Sequence, residues 1–388
     1  MAARNLRAGG AGWWAGRAGV ARLGAGLALL LALAGCAPSA PSAPTPSAGA
    51  SAPAAGAPGQ QGAGGAGAAG QQGAGGAGGA AAARAPEPPI RLVVNWSQPS
   101  GSQTAMWMPL EAGYYREQGL DVELVNIGST SAALQAMVAG EVHLSALDPA
   151  TVVQASLSGA DLVLLYALVN RLVFSIVTQP SIQQPDDLRG KTLGVGRLGS
   201  SGHTAIRVAL GSWGLVQDRD VSVRQMGTVP NILAGMQAGQ LDGGSLSPPT
   251  NGVAKQAGFH ELIDLSTQGP EYASVAVGGL RPWVAANEEA VRRFGRAYVQ
   301  GIQRFKADKP LALEVYHKYL QTDDAALLDA TYAQFLTLMP NPPYISEVGM
   351  ANALADLALD EPRVVGRQAS EWIDSRYVRE LEAAGLTR

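Results

Sequence analysis

The feature that most limits what this chain can fold into is an ungapped match of one stretch to another 99 residues further on. Asp121-Val122 falls on Asp220-Val221, and Met137-Val138-Ala139-Gly140 on Met236-Gln237-Ala238-Gly239. Leu147-Asp148-Pro149-Ala150-Thr151 falls on Leu246-Ser247-Pro248-Pro249-Thr250, and Gly159 on Gly258. A single register through two strands, two helices and a proline-initiated helix start predicts two similar lobes. In each copy short β-rich runs alternate with amphipathic stretches closed by glycine. The first has strands at 90–96, 121–127, 142–147 and 162–169, with helices at 104–118, 131–139 and 149–157. The second has strands at 191–197, 221–226, 243–247 and 262–265, with a helix from about Gly202 and others ending at Gly239 and Gly258. Such alternation predicts an α/β fold, each lobe a mostly parallel sheet of right-handed βαβ units flanked by helices. Past Gly278-Gly279 the spacing turns helical, at 287–306, 311–320, 324–338 and 347–359. Asn287 and Thr322 are the expected N-caps there, and Pro310 suits a first turn. These helices carry no catalytic constellation and are expected to pack and brace.

Not all of the 388 residues can join this fold. Residues 1–35 read as an export signal: Arg4, Arg7, Arg17 and Arg22, then a short apolar run at 23–34. That run is well under the roughly 20 residues needed to span a bilayer. Losing four arginines would leave 24 of the 28 basic side chains against 31 acidic ones, a net charge of −7. No lysine-arginine cluster remains, which argues against a nucleic-acid partner. Residues 37–89 are almost wholly Ala, Gly, Pro, Ser and Gln. They bury too little to offset their ordering entropy, so a disordered linker reaching roughly 40 Å is expected.

The segment "LRGKTLGVGRLGSSGHT" contains two apparent nucleotide motifs. A Walker A loop ending at Gly190-Lys191-Thr192 would need a glycine where Pro185 stands. The G-x-G-x-x-G at 194–199 has its strand-then-helix context, but Asp218 and Asp220 precede the next strand rather than end it. What survives is a glycine-rich turn before a helix start, with unpaired N–H groups and the positive end of the helix dipole. Ser200, Ser201, His203 and Thr204 add polar groups there, although a serine that merely caps the helix and a solvated histidine remain open. Asp148 and Ser247 follow matching strands, where parallel sheets open into a ligand crevice; Asp148 also suits the N-cap of a Pro149 helix. Trp96, with Ser97 and Gln98, ends the first strand, either facing ligand or closing the core. The four histidines have no metal-ligand spacing and no G-x-S-x-G elbow exists. No catalytic residue, metal or cofactor is expected. The single cysteine, Cys36, excludes an intrachain disulfide.

Leu33-Ala34-Gly35-Cys36 resembles the bacterial lipobox, which implies cleavage before Cys36 and a lipid on its sulfur. "MPLEAGYYREQGLDVEL", "ALQAMVAGEVHLSALDP" and "PDDLRGKTLGVGRLGSSG" resemble the solute-binding proteins of ABC importers of the nitrate, sulfonate and taurine class, whose relatives include carriers of thiamine-precursor pyrimidines. The resemblance covers about 90–265, and "RPWVAANEEAVRRF" fits it too. It implies a periplasmic-binding-protein fold whose chain crosses between lobes near 169–173 and 273–279. Lobe 1 would be 90–170 plus 276–388, and lobe 2 would be 171–275. Ligand would sit between them, on Trp96, Ser97, Gln98, Ser129, Thr130, Asp148, Asn170, Arg171, Ser200, Ser201, Gly202, His203, Thr204 and Ser247. The partners implied are a small solute (sulfonate, nitrate, carboxylate or pyrimidine-like) and the transmembrane subunits of a permease. The protein would work as an exported monomer, lipid-anchored on the outer face of the cytoplasmic membrane or another envelope membrane. Two alternatives are a ligand-sensing module for a receptor and a thiamine-pyrimidine-synthesis enzyme. The latter uses a cysteine-rich segment that this chain lacks.

Overall fold

Two five-stranded sheets form the frame, each built from one copy of the repeat and completed by a strand that follows a crossing of the chain. The computed structural model describes residues 88–388 other than Ser129. The expected signal, Cys36 and nearly all of the expected linker lie outside the described residues, as does Ser129.

The first copy runs β1 (Ile90–Trp96), α1 (Thr104–Glu111), α2 (Tyr114–Glu117), β2 (Leu120–Asn126), α3 (Thr130–Val138), β3 (Leu144–Leu147), α4 (Pro149–Leu157) and β4 (Leu162–Arg171). After a buried link at Leu172–Phe174 come β5 (Ser175–Thr178), β6 (Thr192–Val195), α5 (Ser201–Ser212) and β7 (Ser222–Gln225). Then follow α6 (Val229–Gln237), β8 (Gly243–Leu246), α7 (Thr250–Gln256), β9 (His260–Asp264) and the short α8 (Leu265–Gln268). The chain returns through Gly269-Pro270 to β10 (Glu271–Leu280). The tail is helical: α9 (Arg281–Ala286), α10 (Glu288–Ala307), α11 (Lys309–Leu320), α12 (Ala325–Leu338), α13 (Glu347–Leu357) and α14 (Arg376–Ala383).

Strand order is β2-β1-β3-β10-β4 in one sheet and β7-β6-β8-β5-β9 in the other. These are the same arrangement. β1, β2 and β3 run parallel, as do β6, β7 and β8. β10 lies antiparallel between β3 and β4, and β5 antiparallel between β8 and β9. The 99-residue shift carries α3 onto α6 and β3 onto β8 end for end. The equivalent glycines Gly140 and Gly239 both close their helices at positive φ, +78° and +70°, where a side chain would be strained.

Several expectations need correction. The single helix over 104–118 is two, broken at Gly113, whose φ of +82° cannot continue a helix. Residues 273–279 do not cross between lobes; they lie inside β10, whose return begins at Glu271. Neither antiparallel strand was expected. Thr322 does not cap α12: Asp324 does, its side chain accepting from Leu327 N at 3.0 Å. Asn287 precedes α10 without a side-chain cap bond, whereas Pro310 does sit in the first turn of α11.

α10 buries Phe294, Tyr298, Ile302 and Phe305 at three and four spacing against the first sheet. The tail also covers the outer edge of β4, where Leu164 N donates to Trp372 O and Asp374 N to Leu164 O, so that edge is not left open. It braces the second lobe as well. Asp356 of α13, fully buried, accepts from Thr204 Oγ1 at 2.8 Å and Arg207 Nη2 at 2.7 Å of α5.

Candidate functional site

The C-terminal ends of β1 and β3 face those of β6 and β8 across a cavity of about 110 Å³. From the first lobe it is lined by Ser97, Gln98, Ser100, Ser102, Gly128, Thr130 and Asp148. From the second come Gly196, Arg197, Ser200, Ser201, Gly202, Gly227, Thr228, Val229, Ser245 and Ser247. Val173 and Phe174, at the first crossing, and Ser274 and Val275, within β10, form the remaining wall. Pockets for drug-sized ligands hold roughly 300–1,000 Å³, so this space suits a molecule of few heavy atoms.

Asp148 joins the two sides. It caps α4, Oδ1 accepting from Thr151 N at 3.1 Å, as a residue before a Pro-initiated helix can. Its Oδ2 reaches across the cleft to the first residue of α5, accepting from Ser201 N at 3.0 Å and from the Ser201 hydroxyl. One carboxylate thus serves the positive ends of two helices from different lobes. Burial pushes its pKa up; the bonds from Ser201 and Thr151 and the Arg197 charge oppose this without cancelling it. Ser201 Oγ also lies 3.1 Å from Ser274 O, and its single proton can serve only one of the two acceptors.

Arg197 is the cation of the cavity. Its guanidinium donates across the cleft to Ser131 Oγ at 3.1 Å and to Thr151 Oγ1 at 3.4 Å. Among the described residues it forms no ion pair. The hydroxyls of Ser245 and Ser274 are almost fully buried, 1% and 0% exposed, line the cavity and have no hydrogen-bond partner. Buried polar groups are normally paired; these two hydroxyls are not. A Cβ on Gly202 would stand 3.1 Å from Ser245 Oγ and 3.3 Å from the Phe174 ring, so a side chain there would crowd the site.

Of the residues singled out from the sequence, Ser97, Gln98, Thr130, Asp148, Ser200, Ser201, Gly202 and Ser247 meet in this cavity. Ser129 lies outside the described residues, and Trp96, Asn170, Arg171, His203 and Thr204 do not line it. Trp96 packs edge-on against Trp107 and Tyr319, at 5.3 and 6.0 Å, and closes the core. Asn170 is tied to Tyr344 O and Ser346 N, and Arg171 donates to Gly269 O at 2.9 Å, so both secure the crossings. His203 is held within its own lobe: Nδ1 accepts from Gly199 N at 3.0 Å and Nε2 meets Gln217 Oε1 at 2.8 Å. With Nδ1 accepting, Nε2 carries the proton and the ring is neutral. Burial lowers its pKa, and the Gln217 bond only partly opposes that. Thr204 faces Asp356.

The repeat held a signal for several residues that were missed. Moving Ser97 and Gln98 by 99 lands on Gly196 and Arg197; moving Ser129 and Thr130 lands on Thr228 and Val229. All four line the cavity. Ser100, Ser102, Ser245 and Ser274 had no such marker, and the expected cation, Arg171, gives way to Arg197. Among the described residues no group of three or more His, Cys, Asp or Glu is placed to hold a metal ion. No described helix is long and apolar enough to cross a membrane.

A family model described as NMT1/THI5 like matches residues 102–310. No curated protein matches the chain significantly. Among solved structures, the alkanesulfonate-binding protein SsuA of Xanthomonas axonopodis pv. citri, bound to MOPS, is 18% identical with a TM-score of 0.61, over 74% of this chain and 100% of that one. The periplasmic aliphatic sulphonate binding protein SsuA of Escherichia coli is 19% identical at 0.59, over 72% and 95%. The periplasmic nitrate-binding protein NrtA of Synechocystis PCC 6803 is 11% identical at 0.61, over 78% and 91%. At these identities the likeness establishes the fold, that of the two-lobed periplasmic binding proteins.

Proposed function

This chain belongs to the NMT1/THI5-like family, and we propose that it captures a small polar solute between its lobes and delivers it to the permease of an ABC importer. No bond is made or broken in the process. The observation that carries this reading is the cavity, whose walls come from equivalent strand ends and helix starts of two lobes connected by short crossings of the chain. The fold is shared with proteins described as binding sulfonates and nitrate. Sulfonates, nitrate, carboxylates and pyrimidine-like molecules are therefore the first panel of solutes. The protein works outside the cytoplasm as a monomer, tethered through lipid on Cys36 after loss of the leader. Eight of the residues singled out from the sequence (Ser97, Gln98, Thr130, Asp148, Ser200, Ser201, Gly202 and Ser247) are proposed to contact the solute, joined by Arg197, Ser245 and Ser274.

Solute drives closure only through tighter binding to the closed form; moving a population from 1:99 to 99:1 takes about 5.5 kcal/mol of differential affinity. Residues 86–388 form one compact unit, so that segment can be purified and screened by thermal shift. With the solute that binds, X-ray scattering is expected to report a smaller radius of gyration. A profile unchanged at saturation would defeat the hinge account.

A further inference from the structure

We infer that Asp148 sets the charge class of the solute: its carboxylate holds the place at the start of α5 that an oxyanion would take, so the cleft accepts a small uncharged or dipolar solute and turns oxyanions away. The inference rests on the solute-capture reading and narrows it.

The start of a helix of 12 residues offers N–H groups and a positive dipole end, the usual seat of an anion. Here that seat is filled from the opposite lobe, with the Asp148 carboxylate on both the amide and the hydroxyl of Ser201. An incoming sulfonate or nitrate must displace a group of its own charge or lie beside it, and like charges in a confined site disfavour one another. Arg197 does not reverse this. Its guanidinium is engaged with Ser131 and with Thr151, whose amide in turn holds Asp148, so one positive and one negative side chain already balance across the cavity.

The second observation is independent of the helix. Ser245 Oγ and Ser274 Oγ, buried and unpartnered, flank the same spot, and Ser245 sits against Gly202, the second residue of α5. A hydroxyl both donates and accepts, so the pair is completed by a neutral polar molecule without any change in charge. Ser100, Ser102 and Ser247 extend this hydroxyl lining.

The test uses the full chain with methanesulfonate and nitrate as probes, read by isothermal titration calorimetry. Asp148→Ser keeps a side-chain oxygen to cap α4 and vacates the seat; Asp148→Asn removes the charge while keeping the size. Anion affinity is expected to rise about tenfold or more in Asp148→Ser, the effect of one charge-assisted hydrogen bond regained. Asp148→Asn is expected to give a smaller rise, and adding Ser201→Ala to Asp148→Ser to remove the gain. Three results would overturn the inference: wild type binding either anion as tightly as the variants, both variants binding more weakly, or no binding by any of them. None of these touches solute capture itself, which is read from compaction with whichever screened solute binds.

Discussion

The two lobes share strand order, register and helix placement, yet they bring opposite chemistry to the same positions. Where the third strand ends, the first lobe has Asp148 and the second Ser247; where the first strand ends, they have Gln98 and Arg197. The backbone geometry of the cleft is nearly two-fold, and its charge is not. The repeat therefore builds the container, while the differences within it decide what the container holds. A carboxylate from one side and a guanidinium from the other cross the gap and link the lobes.

The largest expected effect comes from making the lobes alike. Arg197→Gln copies Gln98 and leaves Asp148 without its compensating charge, so affinity for the solute found by screening should fall about tenfold. Calorimetry giving affinity within about twofold of wild type would mean that the guanidinium plays no part in binding.

A smaller effect is expected from pH. The folded-state pKa of Asp148 is raised, chiefly by burial. Its contribution to stability is thus fully present below the unfolded value of about 3.9 and is lost as pH rises through the higher folded value. Asp148→Asn lacks that loss, so the melting temperature of the variant minus that of wild type should grow as pH rises from the unfolded value towards neutrality. A difference that is flat, or shrinks, would contradict the raised pKa.

The smallest effect concerns only the second lobe. His203 has Thr104 as its counterpart under the repeat, and threonine does not titrate in this range. The His203 pKa is lowered, mainly by burial. Its share of stability is present above the unfolded value of about 6.5 and disappears as pH falls through the depressed folded value. His203→Gln should flatten that acid loss in a melting series, with solute affinity unchanged because His203 does not line the cavity. Reduced affinity at neutral pH would place the imbalance between the lobes deeper than the cavity wall.

Much of this molecule was legible in order. Local periodicity marked the parallel strands and their helices, and the 99-residue register carried α3 to α6 and β3 to β8 without a shift. The antiparallel strands escaped because β5 and β10 owe their partners to the crossings rather than to neighbours in sequence. In the site, strand-end residues such as Ser97 and Asp148 were found because parallel sheets present those ends to a crevice. Trp96, Asn170, Arg171, His203 and Thr204 occupy equally suggestive places, but each is consumed by a partner far along the chain: Tyr319, Tyr344, Gly269, Gln217 and Asp356.

By itself, then, the sequence determined two α/β lobes in tandem, a helical tail, and the strand ends at which polar residues gather. Periodicity and glycine stops are local, and local order survives without knowledge of what packs where. Only the tertiary structure decided that Asp148 reaches the start of α5, that Arg197 replaces Arg171 as the cation of the cleft, and that Ser245 and Ser274 are left without partners. Those are pairings between residues 46 to 73 positions apart, made where the two lobes face each other, and no pattern along one strand of sequence encodes which hydroxyl will remain free.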